Sequence, residues 1–157
     1  MTDQRELDDW ARRHTRVAAY DLCVDSERRI LLCRIAPGYP ATGHWTLPGG
    51  GIKFGESPAD GALRELTEET GLIGRIDYLA FVHSTAREAQ PDEGIGPWHS
   101  VRIAYRVSIT GGELSDEVDE SSDLAAWLSA SELSAVPLVD LARAALAWLK
   151  DPTITFR

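Results

Sequence analysis

The chain has 157 residues, 43% of them hydrophobic and 26% charged, which predicts one soluble globular domain with its own core. Asp and Glu number 25 against 16 Lys and Arg, so the formal charge is −9 at pH 7. A field of this sign repels nucleic-acid backbones and argues against a broad basic patch for polymer binding. It also repels anionic small molecules, unless a bound divalent cation reverses the local charge.

Residues 1–14 are polar, and Leu7 and Trp10 within them predict a short helix that packs on the domain. The stretch has no apolar signal segment, and no apolar run of the chain is long enough to span a membrane. We therefore expect a cytoplasmic protein without membrane contact. The expected organisation is an extension of residues 1–14, one domain over residues 15–150, and a tail of residues 151–157.

Two apolar runs follow, at residues 16–24 and 29–35, and both predict strands. The turn-forming residues 25–28 between them predict a hairpin. Cys23 and Cys33 fall in these two runs. One interpretation is a disulfide; the predicted cytoplasmic location favours the other, two reduced core cysteines without a catalytic role.

A loop is predicted at residues 36–43, then a short strand at residues 45–47 that enters a glycine-rich turn. The next element is a helix from Pro58 to Thr70. Ser57 is a good N-cap, Pro58 suits the first helical position, and Gly71 suits the left-handed position just after a helix.

Two faces of this helix differ in character. The residues predicted to pack on a sheet recur at helical spacing: Ala59, Ala62, Leu63, Leu66 and Thr70. Glu65, Glu68 and Glu69 stand at i, i+3 and i+4 and are expected to project together, away from the packed face. Like charges at this spacing repel by about 0.2–0.5 kcal/mol a pair. They form either an exposed acidic stripe or a site for a hard cation such as Mg²⁺, which prefers oxygen ligands.

Later strands are predicted near residues 75–84, 99–109 and 124–128, and a C-terminal helix at residues 138–149. A long loop at residues 86–97 separates the first two of these strands. The order of strands and helices predicts the α/β class, with a mixed sheet between helices in an α/β/α sandwich. Six acids stand without a base between Glu113 and Asp123, which is typical of a solvated acidic loop.

One stretch resembles a known family motif. Gly50, Glu56, Arg64-Glu65-Leu66, Glu68-Glu69 and Gly71-Leu72 fill every specified position of the Nudix box, G-x5-E-x7-R-E-U-x-E-E-x-G-U, where U is a bulky aliphatic residue. Nine defined positions across 23 residues make the match specific. The resemblance implies the Nudix fold, an α/β/α sandwich with the box as a loop–helix–loop.

The resemblance also implies a set of residue roles. It assigns metal binding to the backbone carbonyl of Gly49 and to the three helix glutamates: Glu65, Glu68 and Glu69. Arg64 is implied to pair with Glu56 and to orient the cluster, as partners of metal ligands do. The implied cofactor is Mg²⁺, with Mn²⁺ as a substitute. Catalysis is assigned to Glu65, Glu68, Arg64 and Glu56, with either Glu65 or Glu68 as the base.

Further roles fall outside the helix. A later acidic ligand is expected from Glu117 or Glu120, and the alternative is that neither touches metal. Arg34 and Lys53 are implied to meet substrate phosphate, although a strand arginine can equally be a surface residue. The substrate site also includes Gly50 and Gly51, which let the chain bend against the helix. Trp45 is either a core residue or a stacking surface for a base.

The implied reaction is hydrolysis of a diphosphate linkage in a nucleoside diphosphate attached to another moiety. The substrate stays open between a nucleoside triphosphate, oxidised or not, and a compound like ADP-ribose, because Glu88 stands where the ADP-ribose subgroup tends to have proline. The alternative function is a non-catalytic Nudix-type module that binds a nucleotide and regulates another activity. The residues themselves do not indicate an assembly, and the resemblance implies a homodimer only because dimers are common in the family.

Overall fold

The structure is a computed structural model that describes residues 15–88 and 97–156. Its elements in chain order are β1 (Thr15–Leu22), β2 (Ile30–Ile35), β3 (Trp45–Thr46), β4 (Gly49–Gly51), α1 (Pro58–Thr70), β5 (Leu72–Arg87), β6 (Trp98–Gly112), β7 (Ser122–Leu128), α2 (Ala130–Leu133) and α3 (Asp140–Lys150). None of the helices in these residues has the length and apolar character needed to cross a bilayer.

The strands form two sheets, in the orders β4-β1-β6-β5 and β3-β2-β7. The first sheet is mixed, because β1 runs parallel to β6 and antiparallel to β4. Helix α1 contributes Leu66 to one apolar cluster, and α3 contributes Leu141 and Trp148 to another. The predicted α/β/α sandwich is therefore confirmed.

Strand β1 separates these two clusters because successive side chains of a strand point to opposite faces. Tyr20 and Leu22 pack in the cluster with α3, whereas Cys23, just after the strand, packs in the cluster with Leu66 of α1. The last five residues of β1 are all buried, so both faces of the strand are covered. A charged side chain at any of these last five positions is consequently buried.

The predicted hairpin between the first two strands is wrong. β1 and β2 belong to different sheets, and only an isolated bridge between Val24 and Ile30 joins the chain on either side of the turn. The edges of β1 are taken by distant segments instead, with Ala19 opposite both Gly50 and Ile103. β1 lies between β4 and β6, and β2 lies between β3 and β7, so both hydrogen-bonding edges of each strand are taken by other partners.

Smaller differences follow from long-range pairing. The predicted glycine turn forms strand β4 at Gly49–Gly51, and the C-terminal helix begins at Asp140. It begins there because Trp45 and Val139 share a backbone hydrogen bond of 3.1 Å that holds the preceding residues as a strand-like segment. The predicted helix around Leu7 and Trp10, and residues 89–96 of the predicted loop, lie outside the described residues.

Candidate active site

Helix α1 presents the candidate site, and its ends are fixed by the predicted caps. The Ser57 hydroxyl accepts a hydrogen bond from the Asp60 amide at 3.1 Å. Gly71 has φ 72° and donates its amide to the carbonyl of Thr67 at 2.9 Å. These local signals set the helix at Pro58–Thr70, as predicted, and so fix the positions of its glutamates.

Arg64 joins the carboxylates of the box. Its Nε donates to Glu56 Oε1 at 2.7 Å and its Nη2 donates to Glu56 Oε2 at 3.0 Å. Its Nη1 donates to Glu65 Oε1 at 2.8 Å and to Glu68 Oε2 at 3.0 Å. The hydrogen bonds from the guanidinium lower the pKa of Glu56 to about 2. The predicted pair of Arg64 with Glu56 is thus present, and the same guanidinium also reaches two of the helix glutamates.

Glu69 is the exception to the predicted exposed face, because it is 5% exposed. One of its carboxylate oxygens accepts a hydrogen bond from the Gly49 amide at 2.9 Å. Burial, with a smaller contribution from the negative charge of Glu65, raises the pKa of Glu69 to about 8, against the lowering effect of the Gly49 bond. The expectation that all three glutamates point away from the packed side is wrong, since Glu69 faces β4 in the interior.

The glycines of β4 allow a close approach between the strand and its neighbours. A Cβ at Gly50 would lie 3.0 Å from the carboxyl carbon of Glu65. Gly49 has φ 142°, and a Cβ there would lie 2.3 Å from the carbonyl oxygen of Ala19. Gly50 and Gly51 therefore lie in a strand rather than a bend, and at Gly50 the missing side chain leaves room for a glutamate carboxylate.

Gly61 has a similar use inside the helix. A Cβ at this position would lie 3.1 Å from Glu56 Oε2 and 3.0 Å from a methyl group of Ile52. The carboxylate that pairs with Arg64 thus lies against the bare backbone of α1. The cost of about 1 kcal/mol for a glycine inside a helix is offset by this contact.

The acidic segment, residues 113–123, is anchored beside the helix rather than free. Ser115 donates its amide to the carbonyl of Thr70 at 2.9 Å, and Asp116 accepts a hydrogen bond from the Ala125 amide at 3.0 Å. Glu117 is partly buried and accepts from the Ser122 hydroxyl at 2.9 Å. Burial raises the pKa of Glu117, and the negative charge of Glu65 adds to the effect. Of the two predicted ligands from this segment, the structure brings Glu117 towards the box, whereas Glu120 is exposed.

Asp21 on β1 is a further acid of the site that the sequence analysis missed. Its side chain is 0% exposed, and neither carboxylate oxygen has a hydrogen-bond partner among the described residues. Burial raises its pKa well above the ordinary value, and the charges of Glu69 and Glu65 raise it further. The available signal was a single acid inside the otherwise uncharged, mostly apolar run of residues 17–22.

The donor chemistry of the site fits a hard divalent cation. Carboxylates from α1, β1 and the acidic segment repel one another in a partly buried space, and oxygen donors are the ligands that Mg²⁺ and Mn²⁺ prefer. Within residues 15–88 and 97–156, no group of three acidic, histidine or cysteine side chains is arranged at the distances of metal ligands. Arg64 holds one oxygen each of Glu65 and Glu68, and the other oxygens remain for a cation.

Predicted residues outside the helix fall into different places. Arg34 is held by Asp123, with Nε 2.8 Å from Oδ1 and Nη2 3.2 Å from Oδ2. Lys53 is exposed, and its amide donates to Glu56 at 2.8 Å. Trp45 is 7% exposed and packs in the cluster with α3, which favours the core interpretation over base stacking.

The two cysteines are free and buried. Burial raises the pKa of both thiols, so neither is a reactive thiolate at neutral pH. Cys33 lies close to Glu69, whose negative charge contributes to the higher pKa of the thiol.

The chain is similar to known proteins both in sequence and in fold. A sequence model of the NUDIX domain matches residues 12–149. The chain is 33% identical to an ADP-ribose pyrophosphatase of Methanocaldococcus jannaschii over 96 residues, which are 61% of this chain and 53% of that protein. It is 30% identical to a MutT-like protein of Streptomyces ambofaciens, over 75% of this chain and 66% of that protein. The chain thus spans about half of the length of the archaeal relative.

A solved structure agrees with the fold. The crystal structure of a MutT NUDIX hydrolase from Burkholderia pseudomallei superposes with a TM-score of 0.69 at 26% identity. The match covers 85% of this chain and 97% of that chain.

Proposed function

The chain belongs to the Nudix family, and we propose on this basis that it is a hydrolase that cleaves a diphosphate linkage in a nucleotide-like substrate with the help of Mg²⁺. The observation that carries the proposal is the cluster of box carboxylates around Arg64, with Glu69 buried beneath the glycine strand. A purely structural helix has no need of such a cluster, because its repulsion is unfavourable without a cation.

The residues proposed to hold the cation are the three helix glutamates, one backbone carbonyl and one acid of the neighbouring acidic segment. They are Glu65, Glu68, Glu69, the carbonyl of Gly49 and Glu117 of the acidic segment. Mn²⁺ would suit the same oxygen donors. When bound, the cation supplies charge neutralisation for the phosphates and a lower pKa for a coordinated water.

The chain's own side chains have separate tasks in this proposal. Arg64 lowers the pKa of Glu56 and holds both Glu56 and Glu65 in place by hydrogen bonds, as a partner of metal ligands does. Glu65 or Glu68 accepts the proton of the attacking water, and the half-exposed Glu68, at 48%, is the more accessible of the two. Arg34 and Lys53 bind substrate phosphate, and Arg34 has to exchange part of its contact with Asp123 to do so.

The substrate class proposed is a nucleoside diphosphate linked to another moiety. A similar protein named as an ADP-ribose pyrophosphatase supports a nucleotide diphosphate with an attached sugar. A nucleoside triphosphate, oxidised or not, is the other candidate of this class. The net charge of −9 supports a small molecule over a nucleic-acid polymer. A homodimer and a cytoplasmic location remain predictions.

The test is a release assay with a panel of nucleoside triphosphates, ADP-ribose, dinucleoside polyphosphates and nucleotide sugars in Mg²⁺. Products are converted to free phosphate by an added phosphatase or pyrophosphatase. The Glu68→Gln variant should fold normally and lose activity by about 100-fold or more, because a water-activating carboxylate is removed. The matched control is Asp60→Asn, an exposed acid of the same helix, which should keep the activity.

The outcomes separate the proposal from its alternative. Turnover that Glu68→Gln loses and Asp60→Asn keeps supports the hydrolase and identifies its substrate. Full activity in Glu68→Gln contradicts the proposed role of that residue. If no compound is hydrolysed, yet one raises the melting temperature, the chain is a nucleotide-binding module instead.

A further inference from the structure

We propose that Asp21, on strand β1, is an additional carboxylate of the metal site, which strengthens cation binding from beneath Glu69. The inference rests on the proposed function, because it concerns the cation of that same site. It adds a residue outside the box and outside the acidic segment.

The first argument is the cost of the side chain where it lies. Asp21 is 0% exposed, and neither of its oxygens accepts a hydrogen bond from a described residue. A carboxylate buried without a donor loses several kcal/mol of hydration, and such groups in folded proteins take up a proton, are paired or coordinate a metal. Asn or Ser would fill the same position without a buried charge. The presence of an acid therefore points to a positive partner.

The second argument is the sign of the surroundings. The charges with the largest effect on Asp21 are those of Glu69 and Glu65, and both are negative. Cys33, which contacts Glu69, is a buried neutral thiol and offers no compensation. Arg64, the arginine of the box, already donates its hydrogen bonds to Glu56, Glu65 and Glu68. A divalent cation between these carboxylates would compensate all of them together.

The third argument is the position of Asp21 in the sheet. Its amide donates to the carbonyl of Pro48 at 2.8 Å, and the next residue, Gly49, donates its own amide to Glu69 at 2.9 Å. Asp21 lies two residues before Cys23, which packs with Leu66 of α1, so the side chain belongs to the face of β1 that α1 covers. The acid thus lies on the side of β1 that faces α1, beside the Gly49 amide that binds Glu69.

Asp21 is a positioning residue in this proposal. It adds negative charge beside Glu69 and keeps the inner part of the site attractive to a cation, while α1 supplies the outer ligands. Loss of such supporting groups typically weakens metal affinity by about 10–100-fold. The isosteric change Asp21→Asn removes the charge and keeps the shape.

The experiment measures Mn²⁺ binding to the full chain by electron paramagnetic resonance and calorimetry, for the wild type, Asp21→Asn and the control Asp60→Asn. We expect the dissociation constant to rise about 10–100-fold in Asp21→Asn and to stay within about twofold in the control. The rise in melting temperature on adding Mn²⁺ should shrink in parallel, while the metal-free melting temperature should be equal to or above that of the wild type, because the unpaired buried charge is gone.

The measured Mn²⁺ affinities separate the role of Asp21 from the proposed function. Equal Mn²⁺ affinity in Asp21→Asn and wild type overturns the role of Asp21 and leaves the proposed function standing. A wild type that binds no Mn²⁺ overturns both the role and the metal dependence. If Asp21→Asn does not fold, the wild type labelled with ¹³C at aspartate provides the test. A side-chain resonance of Asp21 that shifts with Mg²⁺ supports the role, and one that does not move contradicts it.

Discussion

Arg64 holds the candidate site together at the scale of single residues. It is 21% exposed and binds Glu56, Glu65 and Glu68 within 2.7–3.0 Å. One guanidinium thereby reduces the repulsion between three carboxylates that the sequence places close together. Removing it leaves partly buried charges without a partner, which costs more than an exposed ion pair ever contributes.

We therefore expect Arg64→Ala to destabilise the protein by about 2–4 kcal/mol and to remove most of the activity. The control is Arg75→Ala, whose ion pair with Asp77 is 70% exposed on the arginine side and should contribute about 0–1 kcal/mol. Urea unfolding of both variants makes the comparison. Equal losses of stability would show that Arg64 is no more than a surface ion pair.

Gly50 tests the space reserved for Glu65. In Gly50→Ala the added Cβ would lie 3.0 Å from the Glu65 carboxyl carbon, so that side chain has to move by a few tenths of an ångström. We expect about a tenfold loss of kcat or more, with little change in melting temperature, because the positions of reacting groups are displaced. The control Gly111→Ala meets its first neighbour at 3.9 Å and should behave as the wild type. An unchanged kcat in Gly50→Ala would contradict the tight fit.

Residue roles differ in how far the sequence predicts them. The pair of Arg64 and Glu56 follows from the motif, and the structure contains it. The burial of Glu69 was not predictable. Helical spacing shows which side chains share a face, but it does not show how deeply those side chains are buried against strand β4. Asp21 was missed for the same reason, because its neighbours come from α1, far along the chain.

At the scale of elements, helix α1 is set by its own sequence. The Ser57 cap and the left-handed Gly71 act within a few residues, and the predicted bounds Pro58–Thr70 agree with the structure. The pairing of β1 and β2 was predicted wrongly because partners in a sheet are chosen by burial across the whole domain. Local signals thus predict helix α1, which carries the candidate site. The pairing of the strands that support this helix depends on long-range packing.

The cap itself can be tested. We expect Ser57→Ala to lower stability by about 1 kcal/mol, because the Asp60 amide loses its acceptor. This corresponds to a fall of about 2–4 °C in melting temperature for a domain of this size. The control is Ser84→Ala, at an exposed position of β5, which should change the melting temperature little. A control that falls as far as Ser57→Ala would show that the cap contributes nothing specific.

At the scale of the whole molecule, the charge of −9 opposes the compact state. Added NaCl should therefore raise the melting temperature, because the screening length shortens to about 10 Å at 0.1 M salt. The measurement is thermal unfolding in EDTA from 10 mM to 300 mM NaCl, with KCl as the control for ion identity. A melting temperature that stays flat or falls would mean that the local ion pairs outweigh the net repulsion.

The end of helix α1 at Gly71 lies against the start of the acidic segment, and this close contact limits where that segment can be redesigned. A Cβ at Gly71 would lie 2.4 Å from the carbonyl oxygen of Glu113, and one at Gly112 would lie 2.3 Å from the carbonyl oxygen of Gly71. The entry of the acidic segment is therefore fixed by bare backbone, while Val118 in its middle is 76% exposed. Libraries that graft new loops here should begin after Glu117 and leave both glycines in place.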